Sequence, residues 1–158
     1  MKETPQEKEI KQNFLPGKIS KDGFLGEDTR HIHEIIDTDL RILNKSGVPR
    51  EQIAEKLQFF IDEGKKGLEL PVDLGDFTVQ VTWARGMLPC PFGCIRLHHK
   101  IVATVINKKL NQTIRYSQLN VHLIKEHGFF EGSGSQFRLE PDKLIEFLKI
   151  QINDRDVN

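Results

Sequence analysis

Hydrophobic positions along the chain change their period twice. Between residues 27 and 44, Ile32, Ile35, Ile36, Leu40, Ile42 and Leu43 fall within one stripe at 100° per residue, which predicts an amphipathic helix. Gly47 supplies its stop, because glycine accepts the left-handed conformation after a last turn. Pro49 is expected to open a second helix at its first position. Ile53, Ala54, Leu57, Phe60 and Ile61 line one side of it, and Gly64 or Gly67 ends it. Two helices joined by so short a connection should form an antiparallel hairpin.

From residue 77 the period falls to two. Phe77, Val79, Val81 and Trp83 alternate with Thr78, Gln80 and Thr82, the pattern of a half-buried strand. A second strand is expected over 95–106, with Ile95, Leu97, His99, Ile101, Ala103 and Val105 on one face. The turn "NKKLNQ" leads to a short third strand around Ile114. Ser117 should cap a helix that runs to His127 and stops at Gly128. "FFEGSGSQFRL" reads as two short strands around a glycine-rich turn. Pro141 starts a last helix with Leu144, Ile145, Leu148 and Ile152 inward. The order α-α-β-β-β-α-β-β-α predicts an α+β fold: an N-terminal helical hairpin packed on a small antiparallel sheet, with two further helices. Residues 1–25 carry Pro5 and Pro16 without sustained periodicity and are expected to be a disordered or loosely ordered arm. Its one local signal is a hairpin turn at Asp22-Gly23. A single domain over 26–153 and a flexible tail over 154–158 complete the expected organisation.

Composition adds class but no chemistry. A chain of 158 residues, 37% apolar and 29% charged, is ordinary for one soluble domain. No apolar run approaches the ~18 residues a membrane span needs, and the charged start "MKETPQEKEIKQ" lacks a secretory core. A cytoplasmic protein with reduced cysteines and no membrane partner is the expectation. The zero net charge, however, hides an asymmetry. Residues 26–76 hold twelve acidic and seven basic side chains, a net of −5, whereas residues 77–130 hold seven basic side chains against Glu126 alone, a net of +6. A strand face carrying Arg85, Arg96, His98, Lys100 and Arg115, with Trp83, Tyr116 and Phe92 near it, would suit an anionic partner: a nucleic acid, a phosphorylated ligand or an acidic protein segment. The alternative is that this region faces the acidic helices of its own chain.

The stretch "MLPCPFGCIRLHHK" contains both cysteines and two of the six histidines. Cys90, Cys94, His98 and His99 are candidate ligands for zinc, the only cofactor the residues suggest, since zinc takes four converging sulfur and nitrogen donors. A straight strand would put Cys94 and His98 about 13 Å apart, so joint ligation requires the chain to curl at Pro89, Pro91 and Gly93. A redox pair and a plain turn with two thiols compete with that reading. His122 and His127 lie about 140° apart on their helix, which argues against one ion taking both.

Asp39, His99 and His127 each intrude into an apolar stripe, where a charge is costly unless paired. Together they would make an acid–base or metal-assisted site; singly, each is satisfied by a backbone group or an arginine. "EGSGS" lacks the Lys-Ser/Thr of a phosphate loop. The reading these residues support is a small binding or regulatory module whose basic strand face takes an anionic partner. A metal-assisted or histidine-based hydrolase built on Asp39, His99 and His127, with the Cys90/Cys94 loop nearby, is the alternative. A structural subunit of an oligomer is a third.

Overall fold

A computed structural model describes residues 4–150. Its elements are α1 (Pro5–Gln12), α2 (Ile32–Ser46), α3 (Arg50–Lys65), β1 (Val72–Leu74), β2 (Phe77–Pro89), β3 (Leu97–Asn107), β4 (Gln112–Ser117), α4 (Gln118–His127) and α5 (Pro141–Phe147). The fold is α+β, with one antiparallel sheet in the sequential order β1-β2-β3-β4. Ile152 and the tail over 154–158 lie outside the described residues.

The helical hairpin forms as its apolar stripe dictates. Ile32, Ile35 and Leu43 of α2 are buried, and Gly47 ends the helix in the left-handed region at φ 70°. Pro49 sits one position earlier than expected, as the extended N-cap of α3. Helices α3 and α4 cover one face of the sheet. There Leu57, Phe60, Ile61, Phe77, Val79, Val81, Ala103, Val105, Tyr116 and Ile124 make the main core. Tyr116, fully buried, satisfies its hydroxyl by donating to the Leu57 carbonyl at 2.7 Å. Ser117 and Gly128 cap α4 as the sequence predicts, Ser117 accepting from the Asn120 N–H and Gly128 adopting φ 65°.

Strand β1 has no counterpart in the expected order, and three further features depart from the sequence reading. First, Pro5–Gln12 is helical. Thr4 and Glu7 form a reciprocal capping box with Pro5 in the first turn, which is a local start signal independent of any apolar stripe. Behind it Phe14 and Phe24 are buried, so the N-terminal segment belongs to the packed body from Thr4 onward. Second, residues 129–139 form no strand pair. One backbone bond joins the two arms, from the Leu139 N–H to the Phe130 carbonyl at 3.4 Å. The loop is held instead by residues 24–28. The Gly132 N–H donates to the Phe24 carbonyl and the Glu27 N–H to the Ser133 carbonyl, both at 2.9 Å, and Asp28 accepts from the Ser133 N–H at 3.0 Å. A Cβ at Gly132 would lie 2.3 Å from the Leu25 carbonyl oxygen, so glycine is what lets the two backbones approach. Third, the face of β3 reverses near its start: His98 is buried and His99 exposed. The register slips between Ala84 and Met87 of β2, where Arg85 and Gly86 are extra residues opposite Lys100 and His99. Such a bulge raises local twist and re-aims side chains.

Candidate metal centre

Beside the main core lies a second apolar cluster: Phe14, Phe24, Ile32, Ile35, Cys90, Leu119, Leu123 and Phe129, with Phe92 and Cys94 packed against it. The cysteines enter it through a tight turn. Pro91 occupies the second position, where its fixed φ suits a β-turn, and the Gly93 N–H donates to the Cys90 carbonyl at 3.0 Å. Asn13 anchors this turn to the N-terminal segment by donating to the Pro91 carbonyl at 3.2 Å. The turn sets Cys90 and Cys94 beside the last turn of α4. Cys90, Cys94, His122 and His127 each present a ligand atom there, and these atoms all lie within 4.8 Å of one another.

The distances fit a shared ion. His127 Nε2 is 3.5 Å from Cys90 Sγ and 3.3 Å from Cys94 Sγ. In a tetrahedron with zinc–sulfur and zinc–nitrogen bonds of about 2.3 and 2.05 Å, the sulfur–nitrogen edge is about 3.6 Å. A hydrogen-bonding account fits less well, because one ring nitrogen has a single in-plane lone pair or N–H and two sulfurs crowd it. His122 Nε2 is buried with no hydrogen-bond partner among the described residues. The cysteines are free thiols.

The electrostatics suit neutral imidazole donors. Burial lowers the pKa of His122, and His127 is lowered first by burial and then by the neighbouring His122. Both rings are therefore in the form that ligates metal. Burial pushes the Cys90 thiol up to about 11, while the backbone N–H groups of Phe92 and Cys94 pull it the other way. N–H groups aimed at a sulfur favour the thiolate that a cation would stabilise. Phe92 stacks on His127 with ring centroids 4.1 Å apart and planes at 14°, which fixes the imidazole's orientation.

Only part of this arrangement was foreseen. Cys90 and Cys94 are in it; His98 and His99 are outside the four-residue cluster. His98 lies against His122, ring centroids 4.3 Å apart, and burial brings its pKa down to about 4. His99 points away, into a cavity between the N-terminal segment and the sheet. The pair that helical spacing argued against, His122 and His127, is the pair that converges. Side chains 140° apart each need to swing only about 70° to meet a point on their bisector, and the cysteine turn supplies that point.

The three polar intruders occupy three different surroundings. Asp39 is buried and bonded through both oxygens to Arg138, at 2.5 and 2.9 Å. His127 belongs to the sulfur cluster, and His99 lines the cavity. Of the expected anion-binding residues, Arg85, Arg96, Lys100 and Arg115 are exposed and His98 is buried. Arg115 lies over the Phe137 ring at 5.9 Å. Trp83, expected to face inward, is 44% exposed, and Ile95 is fully exposed. Lys108 and Lys109 pair with Asp73 of β1 and Asp76 of the β1–β2 turn, neither of which is on a helix.

The fold and the cluster together define an α+β protein with a Cys2His2 constellation able to hold a metal ion. No family model matches the chain, and neither a curated protein nor a solved structure is similar to it. No helix among the described residues is long and apolar enough to cross a membrane.

Proposed function

We propose that this chain is a zinc-stapled binding module, with zinc held by Cys90, Cys94, His122 and His127 and an anionic partner taken by the hairpin that the metal anchors. The observation that carries this reading is the convergence of four soft and borderline donors within 4.8 Å. Thiolates and imidazoles select zinc over oxygen-seeking cations. Four protein ligands fill its tetrahedron, leaving no open position for substrate, which is the pattern of a structural site and not a catalytic one. Bound zinc would tie the 90–94 turn to α4. It would thereby fix the outer half of the β2–β3 hairpin, where Arg85, Arg96 and Lys100 are exposed together with Trp83.

Exposed cations on a hairpin that also carries an exposed indole suit single-stranded nucleic acid, because the backbone meets the charges and a base stacks on the ring. Trp83 is the chain's single tryptophan, so its fluorescence reports on that surface alone. Titration of the zinc-loaded protein with a short single-stranded oligonucleotide at low salt should quench it, and the apparent affinity should fall steeply with added salt. The double variant Arg96→Glu, Lys100→Glu should abolish the quenching. Binding that survives both salt and charge reversal would overturn the surface assignment.

A further inference from the structure

A cavity of about 350 Å³ opens between residues 19–24, the bulged part of the sheet and the 131–137 loop. Its walls include Phe24, Leu88, Leu119 and Phe137, Glu131 lies in its lining, and Lys21 and Lys100 stand at the exposed side. The volume is that of a small-molecule pocket, and a mostly apolar wall with a few convergent polar groups is the usual composition of one.

Glu131 is the unusual member. It is 2% exposed and has φ 68°, a conformation that side-chain-bearing residues rarely adopt and that tends to occur at ligand sites. The Gly132 N–H to Phe24 and the Arg138 donor to the Glu131 carbonyl, at 2.9 and 2.8 Å, hold it there. Its carboxylate is only half used. Oε1 accepts from the Ser135 hydroxyl at 2.5 Å, and Oε2 accepts from Asn120 Nδ2. The amide's orientation is fixed, since Asn120 Oδ1 already accepts from the Ser117 N–H and hydroxyl, at 2.7 and 2.9 Å. One lone pair therefore remains on each oxygen of Glu131. Arg138, the nearby cation, gives its side-chain bonds to the carboxylates of Asp39 and Glu140 and to the Glu131 backbone carbonyl, and none to the Glu131 carboxylate.

A buried carboxylate in the cavity lining with one acceptor position left on each oxygen complements two adjacent N–H donors, and the aromatic walls complement a flat ring. We infer that this cavity binds a planar heterocycle that presents two neighbouring N–H donors to Glu131 and an anionic tail to Lys21 and Lys100. Guanine nucleotides and pterin carboxylates share that chemistry. Adenine lacks it, because its corresponding edge pairs one donor with an acceptor that would face the carboxylate. None of the four sulfur and imidazole ligands lines this cavity, but Phe24, Leu88 and Leu119 belong to the surroundings of both, so the metal-loaded chain is the form to test.

Calorimetric titration of the metal-loaded full chain with guanosine monophosphate, a pterin carboxylate and adenosine monophosphate tests the inference. Saturable binding of either of the first two, at least tenfold tighter than adenosine monophosphate, is expected, and whichever binds identifies the source. Glu131→Gln should weaken that binding tenfold or more, because one acceptor becomes a donor. Lys21→Glu, an exposed change that leaves the fold intact, should weaken it several-fold. Absence of binding by both heterocycles, equal binding of the adenine nucleotide, or affinity unchanged in both variants would overturn it.

Discussion

The two apolar clusters are built from the same helices yet closed in different ways. In the main core, α3, α4 and the sheet bring together long aliphatic and aromatic side chains, and Tyr116 and Leu57 satisfy each other. Burial of that kind stabilises by about 25 cal/mol per Å² of apolar surface and needs no further group. The second cluster takes the N-terminal part of the same α2 stripe, through Ile32 and Ile35, and a different face of α4, through Leu119 and Leu123. It finishes on two thiols, two imidazoles and an N-terminal segment whose helix α1 buries no residue. Hydrocarbon completes the first; on the proposed reading, a metal completes the second. A small domain can thus stabilise an end that is too thin to make a core.

Removing the metal should separate the two most sharply. Chelation of the zinc-loaded protein should lower amide protection over 88–98, at the C-terminal turn of α4 and over 10–24. Protection at 77–81 and 101–105 should persist, as native-state hydrogen exchange would show. Uniform loss across both clusters would mean that they are one cooperative unit.

The seam between the clusters is polar, and breaking it should cost nearly as much. Arg138→Ala leaves Asp39, 1% exposed, as an unpaired buried charge. A loss of about 3–5 kcal/mol in urea unfolding is expected, with zinc content unchanged.

Smaller again is the pH dependence set by Glu131. Burial raises its pKa from 4.5 to about 6, against the hydrogen bonds from Ser135 and Asn120. The folded state therefore favours the protonated acid. Its contribution is complete below about pH 4.5 and is lost as pH rises through about 6, a change of about 2 kcal/mol. Relative to the parent, Glu131→Gln should gain about that much stability between pH 4.5 and pH 7. Parallel urea midpoints for the two proteins would reveal a lack of divergence.

What was legible in the sequence follows from the range of the forces involved. The helical hairpin, strands β2, β3 and β4 and both caps of α4 were readable because period and capping are local, whereas the three residues of β1 are too few to show a period. The helix at Pro5–Gln12 was also locally encoded, by Thr4, Pro5 and Glu7, but a search for apolar stripes passes over it. The 129–139 segment was misread as a hairpin because its order comes from residues 24–28, about a hundred positions away. His98 and His99 exchanged roles because a two-residue bulge in β2 acts on β3 across the ladder. The cysteine half of the candidate site was visible in "CPFGC". Its histidine half was not, since His122 and His127 converge only once the turn at Pro91 is laid against α4.

The central claim is the zinc tetrahedron, and the most direct measurement is metal analysis of the purified chain combined with zinc-edge X-ray absorption. One zinc per chain is expected, with two sulfurs at about 2.3 Å and two nitrogens at about 2.0 Å, and Cys94→Ser should remove one sulfur from the shell. A chain that takes up no zinc, or zinc bound through oxygen donors alone, would contradict it.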